Sequence, residues 1–225
     1  MSEAGELWRV IDLEAGAPDF NMALDEALLQ LAPTLGAPVV RFYGWTEPAA
    51  TFGYSQHYAG VAALTSLRPL IRRPTGGGLV PHDSDWTYSM VFPAGSAWHQ
   101  SKAVESYARV HAWIRDAFAT IGVPATLAAE KRKEAPGQCF VGAEKDDVLW
   151  HGRKIAGAAQ RRTKAGLLIQ GSVQPPPLKL NRQQWQKAMI SRVAHEPLHI
   201  GGPVAELAET LRAEKYSRRE YNEKR

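Results

Sequence analysis

The chain has 225 residues, 44% of them hydrophobic and 22% charged, and a formal net charge of +4. That length fits one domain with a small appendage, and the composition is ordinary for a globular protein. No apolar run reaches bilayer-spanning length, the acidic, polar N-terminus is unlike a signal peptide, and a single cysteine excludes an intrachain disulfide framework. The charge is too mild to argue for nucleic acid, and no Cys/His cluster has metal-ligand spacing, so neither nucleic acid, membrane nor metal is expected.

Trp8 to Leu13 reads as a first strand. Pro18-Asp19-Phe20 opens a helix in which Met22, Leu24, Ala27, Leu28 and Leu31 recur at helical spacing. Val39 to Trp45 is the second predicted strand and Ala50 to Gly53 a short third. Leu70 to Arg73 and Thr87 to Phe92 are predicted as strands flanking a glycine loop. Lys102 to Ile121 is the clearest helix, with a stripe of Val104, Tyr107, Ala108, His111, Ile114, Phe118 and Ile121 that Gly122 ends. Glu130 to Gly137 is charged and Pro/Gly-containing, a loop or lid just before Cys139. Val148 to Trp150, a His151-Gly152 turn, Lys154 to Ala159 and, after a basic turn, Leu167 to Val173 read as successive strands. Pro175 to Pro177 stop the sheet, and the tail is helical from Asn181 to Ile190 and again from Val204. This irregular alternation predicts an α+β domain, helices covering a large, mostly antiparallel sheet.

Two glycine-bearing segments carry cations. In Ile71-Arg72-Arg73-Pro74-Thr75-Gly76-Gly77-Gly78-Leu79-Val80-Pro81-His82-Asp83, the glycines let backbone N–H groups come close to a ligand, and two arginines beside them favour an anion. The plainer reading is a hairpin turn with solvated arginines. In the segment from Val148 to Arg161, small residues at Ala156 to Ala159 leave the backbone bare where a ligand can lie, and Lys154 opens that stretch. A lysine after a turn is by default solvated, but two such segments in one small domain favour a ligand. His82-Asp83 is either a substrate-orienting pair or a structural turn. Trp86, Trp98 and Trp113 read as core or rim. Arg161, Arg162 and Lys164 form a basic turn, solvated by default and, in a functional role, facing an acidic carrier protein.

The pattern Arg-Arg-x-Thr-Gly-Gly-Gly-x-Val-x-His-Asp, followed by Gly152-Arg153-Lys154-Ile155-Ala156-Gly157-Ala158-Ala159-Gln160, resembles the catalytic domain of the biotin/lipoate protein ligase superfamily. Asn21 to Glu26, Arg41 to Trp45, Thr51 to Gln56 and Leu167 to Ser172 extend the likeness, in order, from about residue 8 to residue 173. One departure is Gln170-Gly171-Ser172, where many relatives carry His-Gly-Ser. The resemblance implies an α+β fold around a large sheet and acyl transfer to a lysine of a carrier domain. In the superfamily's cysteine-dependent octanoyltransferases, a Cys-Phe lies fifteen residues ahead of the motif lysine, and Cys139-Phe140 has that spacing to Lys154. The resemblance therefore implies Cys139 as nucleophile, with Lys154 lowering its pKa and positioning the acyl carbonyl.

It implies further that Thr75, Gly76, Gly77, Gly78, Leu79, Val80, Pro81 and His82, together with Gly157, Ala158, Ala159 and Gln160, bind the acyl group or a nucleotide, with Arg73 nearest any anion. The donor is then an acyl carrier protein and the acceptor a lipoyl domain or glycine cleavage H protein, with no cofactor required. An alternative is an ATP-dependent lipoate-protein ligase using ATP and Mg²⁺, since Asp146-Asp147-Val148 resembles the Asn-Asp-Val/Leu of those enzymes. A non-catalytic carrier-binding protein is the second alternative. Residues 1–178 are expected to form the catalytic domain and residues 179–225 a helical C-terminal extension packed on it. The expected location is the cytoplasm.

Overall fold

A computed structural model of the chain describes residues 6–133, 140 and 142–224. Strand β1 (Leu7–Asp12) leads into helix α1 (Pro18–Gln30), the short α2 (Ala32–Leu35) and strand β2 (Val39–Tyr43). Strand β3 (Ala49–Phe52), helix α3 (Tyr58–Ala62) and strands β4 (Leu70–Arg72) and β5 (Val80–His82) follow. Next come β6 (Trp86–Pro93), α4 (Ala97–Gln100), α5 (Ala103–Thr120), β7 (Thr126–Leu127), β8 (Arg132–Lys133), β9 (Gly142–Ala143) and β10 (Val148–Trp150). The long β11 (Arg153–Arg162) and β12 (Gly166–Val173) precede α6 (Arg182–Ile190), β13 (Ala194–Pro197), α7 (Gly202–Leu211), a π-helical turn (Arg212–Tyr216) and α8 (Arg219–Asn222).

Eight strands form one sheet in the order β13-β1-β2-β6-β12-β11-β10-β7. Strand β1 runs parallel to both its neighbours, and every other pairing is antiparallel. The expected α+β class is therefore the one observed. Both faces are covered, which is why β12 is buried along its whole length and β6 along nearly all of its own. One face packs Trp8, Phe42, Met90 and Ile169 against Ile114 and Phe118 of α5 and Trp185 of α6. The other packs Val39, Val91 and Leu168 against Leu24 and Leu28 of α1 and Ala208 of α7. Each such side chain contributes roughly 1.5–3 kcal/mol when buried, so these two layers outweigh helix propensity in ordering α1 and α5.

Local chemistry sets several boundaries. Lys102 N donates to Glu105 Oε2 over 3.0 Å at the start of α5, and Gly122, at φ +78°, ends it. His151 and Gly152 both have positive φ, as a two-residue hairpin turn between β10 and β11 requires. The expectation of strands flanking the glycine loop needs correction. The loop joins β4 to β5, both in a separate three-stranded sheet of order β4-β3-β5, while β6 belongs to the large sheet. Pro81 is tolerated because β5 is an edge strand. The expected basic turn also differs, since Arg161 and Arg162 are the last residues of β11.

Beyond residue 178 the chain adds an unexpected strand, β13, parallel to β1. Its polar sequence and Pro197 suit a sheet edge and carry no apolar alternation. The C-terminus also grips the small sheet: Asn222 Oδ1 accepts from Arg72 N at 2.8 Å, and the Arg72 guanidinium donates to the carbonyls of Tyr54, Gln56, Tyr221 and Asn222. Arg72 is wholly buried. Its charge serves this clamp and does not face an anion at the glycine loop.

Candidate active site

Both sheets line a cavity. The large sheet supplies Tyr43, Thr87, Gln170, Gly171 and Ser172, with Met22 of α1 and Trp45 beside them; the small sheet and its flanking loop supply Thr51, Arg73, Val80 and His82. Gly157, Ala158 and Ala159 of β11 expose backbone to it, and Lys154 and Phe140 complete the lining. The bare stretch expected in β11 thus faces a cavity.

Lys154 owes its position to three neighbours. Its Nζ lies 2.7 Å from Asp147 Oδ2, with side chains 7% and 0% exposed respectively. Glu144 N also donates to Asp147 Oδ2, at 2.7 Å, and Tyr107 Oη of α5 donates to Oδ1 at 2.5 Å. Burial, then the charge of Asp147, holds the Tyr107 phenol far above its ordinary range, so it stays a donor. A buried carboxylate needs such partners, since an unpaired one costs several kcal/mol by the usual order of magnitude. Gly157 makes room: a Cβ there would approach Lys154 Cε and Nζ to 2.6 and 2.7 Å. The ammonium also lies 5.4 Å from the centroid of the Phe140 ring. Cys139, the neighbour of Phe140 in sequence, lies outside the described residues, as do residues 134–137 of the expected lid.

The glycine loop behaves differently. Arg73 Nε and NH2 donate to Gly76 O at 3.0 and 2.6 Å, and NH2 also donates to Gly78 O at 2.8 Å. The loop is therefore folded around its own arginine. Gly77 has φ +86°, and a Cβ on Gly53 would fall 2.0 Å from Gly77 O, so these two glycines are needed for the turn and its close approach. Of the predicted binding residues, Arg73, Val80, His82, Gly157, Ala158 and Ala159 line the cavity; Thr75, Gly76, Gly77, Gly78, Leu79, Pro81 and Gln160 do not. Thr75 Oγ1 supports the wall by donating to Gln170 Oε1 at 2.8 Å. Leu79 packs into the small sheet's core with Phe52, Val61 and Leu70. Gln160 turns to α5, where it accepts from Ser106 Oγ and donates to Ala103 O.

His82 pairs with a different aspartate from the adjacent one. Its Nδ1 is 2.9 Å from Asp85 Oδ2, its Nε2 is 2.9 Å from Thr51 Oγ1, and its ring stacks on Trp45 at 3.9 Å. Asp83 is exposed and accepts from Ser84. A second buried group is Asp25, which accepts from Arg41 NH1, Ser89 Oγ, Tyr43 Oη and Gln170 Nε2. Both Asp25 and Arg41 are wholly buried, 2.7 Å apart. Gln170, standing where many relatives carry histidine, spans Thr75 and Asp25 with its amide.

None of Thr51, Asp85, Asp147 and Tyr107 is among the residues the sequence assigns to binding or catalysis, although Asp147 lies in the stretch that resembles the ligases' Asn-Asp-Val/Leu and Thr51 in one that extends the family likeness. The three-residue step from His82 to Asp85 was the available signal for one; Tyr107 had been absorbed into the apolar stripe of α5. Arg161 and Arg162 are held to the body of the protein, Arg161 by Pro74 O and Arg162 by the carbonyls of Trp98 and His99. No helix among the described residues is long and apolar enough to cross a membrane.

Residues 17–211 match the family described as lipoyl protein ligase A/B catalytic domain, and every residue lining the cavity falls inside that span. The chain is 36% identical over 183 residues to octanoyltransferase LipM of Geobacillus kaustophilus, a match covering 76% of this chain and 66% of that relative. Octanoyltransferase LipM of Bacillus subtilis is 35% identical over 181 residues, covering 75% and 65%. The matches thus span just under two thirds of these relatives' own lengths. In fold, the chain superposes with a TM-score of 0.79 on lipoate-protein ligase A solved with ATP bound, at 20% identity over 96% of this chain and 98% of that one. With the bipartite lipoate protein ligase of Thermoplasma acidophilum the TM-score is 0.74, at 19% identity over 97% and 96%. The chain belongs to the lipoyl protein ligase A/B catalytic-domain family.

Proposed function

We propose that the protein is an octanoyl or lipoyl transferase of protein lipoylation, acting in the cytoplasm. It takes the acyl group from an acyl carrier protein thioester, holds it on Cys139, and passes it to a lysine of a lipoyl domain or glycine cleavage H protein. The relatives' name, octanoyltransferase, supports this reading. The observation that carries it is the state of the cations at the cavity. Lys154 is paired with buried Asp147, and the Arg73 fork is closed on the loop carbonyls. A nucleotide's phosphates call for cationic donors turned toward them, whereas here the Lys154 charge is met by Asp147 and the Arg73 guanidinium, still charged, is turned to its own loop; a neutral thioester needs no such donors. ATP and Mg²⁺, which the ligase alternative needs, therefore fit these residues poorly.

In this reaction the Cys139 thiolate attacks the donor thioester, and the carrier leaves as its own thiolate. Lys154, ion-paired with Asp147, favours the Cys139 thiolate and faces the developing oxyanion of the acyl carbonyl. The bare backbone at Gly157 to Ala159 gives the acyl chain room to lie beside it. The second step is attack by the acceptor lysine amine, which forms the amide and returns the thiolate. No cofactor enters either step.

The test mixes purified protein and apo lipoyl domain with octanoyl-carrier protein in one arm, and with octanoate, ATP and Mg²⁺ in the other, and follows acceptor mass. The first arm should modify the acceptor, through a hydroxylamine-sensitive octanoyl adduct on the enzyme that Cys139→Ser lacks. Modification only in the second arm, or full activity in Cys139→Ala, would establish the ligase instead.

A further inference from the structure

Resting on that transferase reading, we propose that Thr51, His82 and Asp85 form a proton relay for the aminolysis step. The two half-reactions differ in their protons. Thioester exchange takes in one thiolate and releases another, so it needs no proton acceptor. Attack by the acceptor amine forms a C–N bond, breaks the C–S bond to Cys139 and leaves the new nitrogen with one proton too many.

Among the described residues lining the cavity, Lys154 is ion-paired as a cation and Arg73 is a permanent one. The Tyr43 phenol is held protonated by burial and by the charge of Asp25. His82 is the remaining titratable lining side chain, and its partners orient it. A carboxylate only accepts, so Asp85 Oδ2 fixes the proton of the neutral ring on Nδ1 and leaves Nε2 as acceptor toward Thr51 Oγ1. Arg73 NH1 donates to Thr51 Oγ1 at 3.4 Å, so the hydroxyl accepts from the arginine and has its own hydrogen to give to His82. Thr87 Oγ1 and Ser172 Oγ also donate to Asp85 Oδ2, at 2.9 and 2.7 Å, and hold that carboxylate in place behind the ring. Its Oδ1 is buried with no hydrogen-bond partner among the described residues. The Trp45 face, stacked at 3.9 Å, is a second surface on which an imidazolium can rest.

The order carboxylate, imidazole, hydroxyl is that of a catalytic triad, with a secondary alcohol in the outermost place. As the amide forms, the ammonium of the tetrahedral adduct gives its proton to Thr51 Oγ1, and Thr51 passes its own to His82 Nε2. Cys139 departs as thiolate, and the imidazolium, facing Asp85, later returns the proton to solvent. Thr51 is the group that touches the reacting nitrogen; His82 and Asp85 act through it as positioning and proton-holding residues.

The experiment separates the half-reactions. Octanoyl-enzyme formation is followed by intact mass, and transfer from preformed octanoyl-enzyme to apo lipoyl domain is followed in single turnovers. Thr51→Val, which deletes the hydroxyl in a similar volume, should slow transfer by about 10²-fold or more while acylation falls far less. Thr51→Ser should restore most of the transfer rate, and the wild-type solvent deuterium isotope effect on transfer should vanish in Thr51→Val. Should Thr51→Val fold poorly by its thermal melt, His82→Gln carries the same comparison. Equal slowing of both half-reactions, or none in transfer, overturns the relay while leaving the transferase intact. If the wild-type protein itself forms no octanoyl-enzyme, the transferase reading fails first and the relay falls with it.

Discussion

The two glycine-bearing segments look alike in sequence, each a cluster of small residues beside a cation, and the fold uses them in opposite ways. At Gly76 to Gly78 the carbonyls turn inward onto Arg73, and the cation is spent on shaping its own loop. At Gly157 to Ala159 the small residues clear a strand surface, and Lys154 lies across it into a cavity. The difference lies in where the carbonyls go. In the strand they are engaged by neighbouring strands, so the lysine pairs with a carboxylate; in the loop no ladder exists, so the arginine takes them.

The strongest way to break this contrast is Lys154→Met. It removes the ammonium and strands the buried Asp147 carboxylate, which should cost about 3–5 kcal/mol of stability as well as acyl transfer. Thermal unfolding should show the loss, and adding Asp147→Asn should recover part of the stability and none of the transfer. A melt unchanged by Lys154→Met would mean that the pair does not hold the site.

Gly157→Ala tests the strand more gently. Its Cβ meets the end of Lys154, Cε and Nζ at 2.6 and 2.7 Å, and Asp147 Oδ1 at 3.3 Å, so the ammonium should be displaced while the backbone keeps its course. Losing one such electrostatic contact typically costs about 10²–10³-fold in kcat. Slowed single-turnover transfer with a smaller fall in the melt than Lys154→Met is the expected pairing.

Acid should loosen the strand side first. His111 is wholly buried behind Tyr107, donating Nδ1–H to Tyr107 O at 2.8 Å, and burial pulls its pKa down to about 4. The unfolded chain takes up this proton near pH 6.5 and the folded chain only near pH 4, so stability falls as pH drops through that window. The full loss amounts to roughly 3 kcal/mol, at about 1.4 kcal/mol per pKa unit. Denaturant melts across that range should show the slope in wild type and a flatter one in His111→Phe; equal slopes would remove His111 as the cause.

The smallest expected effect is on the loop. Gly77→Ala forces φ +86° on an L-residue and should cost about 1–3 kcal/mol. Since Gly77 does not line the cavity, transfer per folded molecule should stay near wild type. A large drop in kcat with an unchanged melt would reverse the contrast and return the loop to the ligand.

By itself the sequence determined what local periodicity and turn chemistry can encode. The stripe of α5, the His151-Gly152 hairpin, the apolar strands at Thr87 to Phe92 and Leu167 to Val173 and hence the α+β class were all legible, because neighbours in sequence decide them. So was Lys154, at the head of a strand too bare to be ordinary. Tertiary structure decided every partner that lies far along the chain. A lone Asp25 or Arg41 reads as a solvated charge until α1 crosses β2 and joins them. Nothing local ranks Asp85 above Asp83 as the partner of His82, or marks Tyr107 as the donor to Asp147. Strand β13 pairs with β1 across more than 180 residues, and its polar sequence carries no period to announce it. Arg73 shows the same limit at short range, since two adjacent arginines beside glycines have one appearance in sequence whether they meet an anion or the loop's own carbonyls. Only the path of the backbone settles which acceptors come within reach of a guanidinium.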